Sequence, residues 1–338
     1  MSGNNVILIT GAGGFLGSLL ARALQTDPQT PNVRLILVDV IEPKAPSGSN
    51  AVTIKANLTN PEEVDAIFQT EYGVPDTVYC LHGIMSRGSE DNFDFGVKVN
   101  IDSVRTVLDA ARKYGAKAGH VIKFIFTSSL AVYGGPLPDV IEPNTIATPQ
   151  GAYGMGKLID EIFINEYTRR GFVDGRILRL PTIVVRAGAP SAAASSFISG
   201  IIREPLQGLP STCPIGTSPS SPDLDLPLWV ASPETTIANF LHARRIPADA
   251  FFPHTRVVCL PGFTTTVREE IAALAAVAGP EAAALISFGD DETNRRVVSS
   301  WPARFDNTYA LALGFDVDEG GMVPIVRRFR EQLRAGVV

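Results

Sequence analysis

Val6-Ile-Leu-Ile-Thr-Gly-Ala-Gly-Gly-Phe-Leu-Gly17 is the stretch on which the fold turns. Val6 to Thr10 has the length and β-branched character of a buried strand, and it runs straight into a glycine-rich turn. Phe15 to Gln25 then reads as a helix. The spacing is Gly-x-x-Gly-x-x-Gly rather than Gly-x-Gly-x-x-Gly, but strand, turn and helix follow in the order that a dinucleotide-binding unit requires. In that setting Gly11 permits the tight turn. Gly14 lets the backbone approach a pyrophosphate lying over the helix N-terminus, and Gly17 lets helix and strand pack closely.

Working outward, short apolar runs keep alternating with amphipathic stretches. Strands are predicted at 35–38, 52–55, 77–81, 123–127 and 176–180. Helices are predicted from Asn60-Pro61-Glu62-Glu63, where Asn60 is the cap and Pro61 the first helical residue, over 95–114, and over 153–169. In the 95–114 helix, Val97, Ile101, Val104, Leu108 and Ala111 make one continuous apolar stripe. This alternation implies an α/β fold, a doubly wound Rossmann-like parallel sheet covered on both faces. After Pro181 the pattern changes. Residues 208–227 are rich in Pro and Ser and read as a surface loop. Shorter elements follow: helices at 233–244, 267–277 and 323–335, and a strand near 257–260. The expected organisation is a dinucleotide-binding domain over 1–181 and a smaller substrate-binding lobe over 182–338, partly interleaved with it.

The second strand ends in Leu37-Val38-Asp39. Asp39 lies 22 residues after Gly17, close to the ~20 expected of the acid that binds the adenosine ribose hydroxyls. Its carboxylate would repel a 2′-phosphate, and Val40 and Ile41 offer no compensating cation. NAD is therefore expected over NADP. On the same reading the cofactor shell takes in Phe15 and Leu16 of the turn and Leu81 at the end of the fourth strand.

Composition narrows the partners. The 338 residues carry a net charge of -6, with 45% hydrophobic and 19% charged residues, and no long Lys/Arg run. A nucleic-acid or anionic-membrane surface is not expected, and no apolar stretch approaches the ~20 residues of a membrane span. Cys80, Cys213 and Cys259 are odd in number and widely spaced, which suits neither a disulfide framework nor a metal clip. His82, His120, His242 and His254 are scattered, so no metal site is expected. The Val6–Thr10 run lacks the length and flanks of a signal peptide. A soluble, cytoplasmic protein of a reducing compartment is the expectation.

Tyr153-Gly-Met-Gly-Lys157 puts a phenol and an ammonium on one helix face. A tyrosine ionises near ~10, and a nearby ammonium favours the phenolate, bringing it toward the range of a general base. Tyr153 is then placed to take an alcohol proton while hydride leaves to a nicotinamide, with Lys157 also holding the nicotinamide ribose. Ser129 follows the strand ending at Thr127, at the carboxyl edge where open α/β sheets bind ligands, so its hydroxyl is placed to bond the reacting oxygen. His82 reads better as a strand-end histidine near the cofactor than as a base, because Tyr153 already fills that role.

Thr10-Gly-Ala-Gly-Gly-Phe-Leu-Gly17, Thr127-Ser-Ser-Leu-Ala-Val-Tyr-Gly134, Tyr153-Gly-Met-Gly-Lys157 and Leu180-Pro-Thr182 together resemble the extended short-chain dehydrogenase/reductase family. The resemblance implies Ser129, Tyr153 and Lys157 as the catalytic triad, and Asn100 as the helix residue that supports a proton relay. It places Asn57-Leu58 at the adenine-contacting position, where an Asp is usual in place of Asn57, and Pro181 and Thr182 beside the cofactor. It also implies a homodimer built through a four-helix interface. Within the family, Met85 to Asn100, Leu178 to Pro190, Ala193 to Phe197, Gly200 to Leu206, Trp301-Pro302 and Leu313-Gly-Phe315 resemble the bacterial enzymes acting on four-carbon sugar acids such as D-erythronate. Those oxidise the 2-hydroxyl to the 2-oxo acid with NAD. The chain departs from that pattern at His82-Gly83, at Arg87 and in the 208–227 segment.

A 2-hydroxy acid needs charge-assisted donors for its carboxylate. Arg186 or Arg203 is expected to supply them, with Ser86, Ser129, Ser196 and Thr182 holding hydroxyls. Rival readings are a nucleotide-sugar epimerase or dehydratase of the same fold, a carbonyl reductase of bulkier ketones, and a protein that senses NAD without chemistry. An intact Tyr and Lys in register speaks against the last.

Overall fold

The computed structural model describes residues 5–190 and 193–337. Its first half builds β1 (Val6–Thr10), α1 (Phe15–Thr26), β2 (Arg34–Asp39), β3 (Ala51–Lys55), α2 (Pro61–Ile67), β4 (Thr77–Cys80), α3 (Ser86–Asp91), α4 (Phe93–Val97), α5 (Ser103–Ala118), β5 (Lys123–Ser129), α6 (Ala152–Arg169) and β6 (Asp174–Leu180). The second half adds β7 (Thr182–Ile183), α7 (Ser196–Leu206), β8 (Ser211–Cys213), β9 (Pro227–Ala231), α8 (Pro233–Arg245), β10 (Val257–Cys259) and β11 (Phe263–Thr266). It ends with α9 (Val267–Ala278), α10 (Pro280–Ala283), β12 (Ile286–Phe288), α11 (Glu292–Ser299), α12 (Thr308–Ala312) and α13 (Met322–Arg334).

Among the described residues the main sheet has seven strands in the order β3-β2-β1-β4-β5-β6-β10. Every pairing in it is parallel. Parallel strands covered on both faces must be apolar throughout, and β1 is buried at all of its positions. One face carries α2, α5 and α6, whose Val64, Val107, Leu108 and Ile164 meet Leu8, Val78 and Phe124. The other carries α1 and α8, with Leu20, Leu24, Ile237 and Phe240 against Ile7, Leu35 and Ile125. A separate core joins α7, α9 and α13 through Ile198, Ile202, Leu274 and Val326.

The fold class read from the sequence is the one observed, and two local features differ. The predicted 95–114 helix is interrupted: α4 passes through a π-turn at Lys98–Asp102 before α5 begins. Steps of 4 and 3 residues accommodate one extra residue in a turn, so the apolar stripe conceals the break. The 208–227 segment is not simply a surface loop. Ser211–Cys213 pairs in parallel with β12, and Cys213, Ile215 and Leu224 are buried. The strand near 257–260 joins the main sheet at the edge of β6, so the two halves share one sheet. No helix among the described residues is long and apolar enough to cross a membrane.

Glu270 on α9 is wholly buried, and neither carboxylate oxygen has a hydrogen-bond partner. Burial raises its pKa well above the usual value. A raised acid favours the fold below its unfolded pKa and loses that contribution as pH rises through the folded value. Glu270→Met removes the buried acid at similar volume, and should stabilise the protein at pH 8 by about 1–3 kcal/mol. The gain should shrink toward pH 5. Thermal melts at both pH values check this, and an equal or negative change at pH 8 would contradict it.

Candidate active site

A cleft of about 600 Å³ opens at the carboxyl ends of the sheet. Its floor lies where β1 and β4 part, the point at which strand order reverses and open α/β sheets take ligands. The residues that form the turn explain its shape. Gly11 has φ +71°, and a Cβ there would lie 2.8 Å from the His82 backbone nitrogen. A Cβ on Gly17 would lie 2.2 Å from the Gly11 carbonyl oxygen, so any side chain would push α1 off the turn. No side chain caps α1, whose N-cap is Gly14, and Gly14, Phe15 and Leu16 line the cleft. Uncapped N–H groups at a helix start suit an anionic pyrophosphate. Asp39 sits beside them, accepting the Gly13 N–H at 3.0 Å and its neighbour Val40 N–H at 2.7 Å. Asn57, Leu58, Leu81 and Pro181 complete the lining. The residues therefore fit a dinucleotide with free ribose hydroxyls.

Ser129, Tyr153 and Lys157 line the same cleft. Ser129 is the last residue of β5, and its Oγ accepts the Ala131 N–H at 3.1 Å, which starts a short 3-10 turn. Helix α6 presses onto that turn. A Cβ at Gly154 would lie 2.0 Å from the Ala131 carbonyl oxygen, so only glycine lets Tyr153 stand this near Ser129. Lys157 is 3% exposed. Its Nζ lies 4.5 Å from the Phe126 ring centroid and 5.7 Å from that of Tyr153.

The other expected residues divide between this cleft and its surroundings. Asn100, in the π-turn, is buried behind the cleft: its Oδ1 accepts the Ile84 N–H at 2.8 Å, and its Nδ2 donates to Ile84 O at 3.0 Å and Ser89 Oγ at 3.1 Å. Both of its amide hydrogens are engaged and its Oδ1 accepts one N–H, so the amide fixes the chain from Ile84 to Ser89 and keeps one acceptor position of Oδ1 open. Thr182 is buried in β7, paired with Val230. Ser86 borders a second cleft instead, its Oγ accepting the Ala194 N–H at 3.3 Å. Arg186, Ser196 and Arg203 line the first cleft. Arg203 is paired with Glu204 and donates to Arg186 O at 2.9 Å. Arg186 donates through Nε to Ile183 O at 3.2 Å, and no acid among the described residues pairs with it.

His82 is a wall of the cleft. Its Nδ1 lies 2.8 Å from Thr10 Oγ1 and its Nε2 2.8 Å from Ser103 Oγ. Ser103 already donates its proton to Val99 O, so His82 carries hydrogen on Nε2 and accepts from Thr10 at Nδ1. Burial, reinforced by the Lys157 charge, pushes the imidazole down to about 3. Sequence reasoning missed Glu90 and Arg296, which border the second cleft beside Tyr153. Neither belongs to a spacing pattern; only the packing of α3 against α6 and of α11 across from them brings them there.

The chain matches the family model described as the NAD dependent epimerase/dehydratase family over residues 7–219. It belongs to that family. Two D-erythronate dehydrogenases are similar along nearly their whole length. The one from Haemophilus influenzae is 42% identical over 92% of this chain and 95% of its own. The one from Cupriavidus necator is 39% identical over 96% and 98%. The crystal structure of the nucleoside-diphosphate-sugar epimerase from Agrobacterium tumefaciens aligns with a TM-score of 0.88 at 35% identity, covering 98% of this chain and 95% of that one. This member of the epimerase/dehydratase family is an NAD-dependent oxidoreductase acting on a CH–OH group.

Two outcomes follow for this family member. Asp39→Ala should narrow the preference for NAD over NADP in kcat/KM, because the charge facing a 2′-phosphate is removed; unchanged selectivity would contradict the assignment. His82 stays neutral when folded but takes a proton below ~6.5 when unfolded. The unfolded chain then binds more protons, so stability falls as pH drops from ~6.5 toward the folded value, by up to about 1.4 kcal/mol per pH unit. His82→Gln should therefore show a shallower fall in Tm between pH 6.5 and pH 4, and parallel slopes would contradict it.

Proposed function

We propose that this protein oxidises the 2-hydroxyl of a small sugar acid such as D-erythronate to the 2-oxo acid, with Tyr153 as the base. The observation that carries the reading is Arg186, a guanidinium in the Tyr153 cleft with no acidic partner among the described residues. Burial lowers its pKa from the usual value, with Tyr153 opposing and Arg203 adding to the effect. Arg186 is half-buried, and a charge held partly out of water without a counter-ion is destabilising unless a ligand supplies one. A substrate carboxylate does so through paired N–H donors. Arg203 carries its own carboxylate in Glu204 and is the weaker candidate. The two D-erythronate dehydrogenases, similar over more than nine-tenths of the chain, point to the same substrate class.

The bound dinucleotide supplies the hydride acceptor. The glycine turn would hold its pyrophosphate, Asp39 its adenosine ribose, and Lys157 its nicotinamide ribose. Ser129 Oγ–H donates to the substrate 2-oxygen and keeps that oxygen against Tyr153. Tyr153 takes the hydroxyl proton as the C2–H bond breaks, with Lys157 Nζ held against the Phe126 and Tyr153 rings. Arg186 orients the acid end. Asn100 acts through the backbone it fixes. In this reading residues 1–181 form the cofactor-binding part and residues 182–338 the substrate lobe, although β10 and α8 of the latter complete the sheet and its cover. Phe95 of α4 and Ile162 of α6 are 50% and 62% exposed, which favours pairing with a second copy.

A second reading is transient oxidation of a nucleotide sugar, favoured by the Agrobacterium epimerase and by the extra room of about 610 Å³ beyond Tyr153. Net release of NADH separates the two. The purified protein should reduce NAD with D-erythronate, and Tyr153→Phe should lower kcat on the order of 10²–10⁴-fold. Arg186→Met should raise KM for D-erythronate on the order of 10–100-fold while leaving KM for NAD unchanged. A panel of four- to six-carbon aldonates with no net NADH formation, alongside turnover of a nucleotide sugar, would overturn the sugar-acid reading.

A further inference from the structure

Tyr153 borders two clefts. The first holds the cofactor-binding turn and Arg186. The second, about 610 Å³, lies on its outer side, where α3 and the segment after β5 face α11; Glu90, Asp139, Arg296 and Trp301 border it. Among these Glu90 is tied most directly to the reacting residue. Its Oε1 accepts the Ala152 N–H at 2.7 Å. Ala152 is the first residue of α6 and immediately precedes Tyr153, so its N–H is one of the helix-start donors that have no intrahelical partner. A Cβ on Gly151 would lie 2.7 Å from the same oxygen, so the glycine is what admits the carboxylate.

Glu90 is also held from behind. Asn100 fixes Ile84 and Ser89 on either side of the start of α3, and Ser86 fixes Ala194 of the opposite lobe. Arg87, the cation on α3 itself, pairs with Asp91 at 3.3 Å. No Lys or Arg among the described residues forms an ion pair with Glu90, whose exposed carboxylate borders the outer cleft. Asp139 adds a second, and Arg296 on the far wall supplies one positive charge. The two sides of Tyr153 thus differ in sign: inside, a guanidinium with no acid paired to it among the described residues; outside, a wall with two acids and one arginine.

We propose that Glu90 is a specificity-determining residue that orients the substrate, excluding a carboxylate from the outer cleft and accepting the hydroxyls of the polyol end there. This rests on the sugar-acid reading above. With the carboxylate drawn to Arg186 and repelled by Glu90, the carbon presented to Tyr153 is the one adjacent to the carboxylate. The same device selects monoacids over diacids, because a second carboxylate at the far end of a four-carbon chain would meet Glu90.

The pair of substrates that tests this is D-erythronate and meso-tartrate, which differ by a terminal CH₂OH in the one and a carboxylate in the other. The wild-type protein should favour D-erythronate in kcat/KM. Glu90→Gln keeps an oxygen to accept the Ala152 N–H and removes only the charge. It should raise the meso-tartrate to D-erythronate ratio on the order of tenfold, with KM for NAD unchanged. A structural role alone would lower both substrates together and leave the ratio where it was. An unchanged ratio overturns the inference while D-erythronate turnover upholds the sugar-acid reading. A wild-type preference for meso-tartrate overturns it too, since Arg296 would then govern the outer cleft. Absence of turnover with every aldonate tested overturns both.

Discussion

Helix α6 is locked to the carboxyl end of the sheet by a buried ion pair, and the site depends on that lock. Glu161 accepts from Arg179 of β6 through Nε at 2.9 Å and Nη2 at 2.6 Å, and from Ser128 of β5. Both charged side chains are almost fully buried, and Arg179 donates its remaining arm to Tyr133. A pair of this kind adds little net stability against an apolar substitute, but losing one partner costs about 3–5 kcal/mol and leaves a buried charge. Its effect is therefore on register. With Glu161 fixed, the preceding turns of α6 can present only Lys157 and Tyr153 to the cleft, and the absence of a Gly154 side chain lets that end of the helix come down onto the turn after Ser129.

The parts of this arrangement that are local in sequence were legible in advance. A strand feeding a glycine turn and a helix is one contiguous unit, so Val6 to Gly17 could be read directly. The Tyr153–Lys157 spacing is likewise set by helix geometry alone. What could not be read are features that depend on distant packing. The π-turn leaves no mark on the apolar stripe from Val97 to Ala111. Val257–Cys259 is too short to declare that it extends the main sheet, and Ser211–Cys213 becomes a strand only because Ile286–Phe288 lies beside it. Glu90 is one of two adjacent acids in Ser89-Glu-Asp91, and nothing in its neighbourhood marks it as the residue that reaches Ala152. Arg186 and Arg203 were indistinguishable until Glu204 was seen to neutralise one of them.

The electrostatics behind the Tyr153–Lys157 pair complete the picture. Asp160 follows Lys157 by three residues on the buried face of α6, is 1% exposed, and has no hydrogen-bond partner for either oxygen. Burial raises its pKa well above the usual value, opposed by Lys157 and reinforced by Glu161. Cys80, the other titratable group near it, is pushed up to about 12 by the same burial, and His82 is held neutral. The groups packed behind Lys157 are thus driven toward their uncharged forms. The buried face of α6 keeps a charge where it has a partner, as Glu161 has in Arg179, and burial drives Asp160, which has no hydrogen-bond partner, toward the neutral acid.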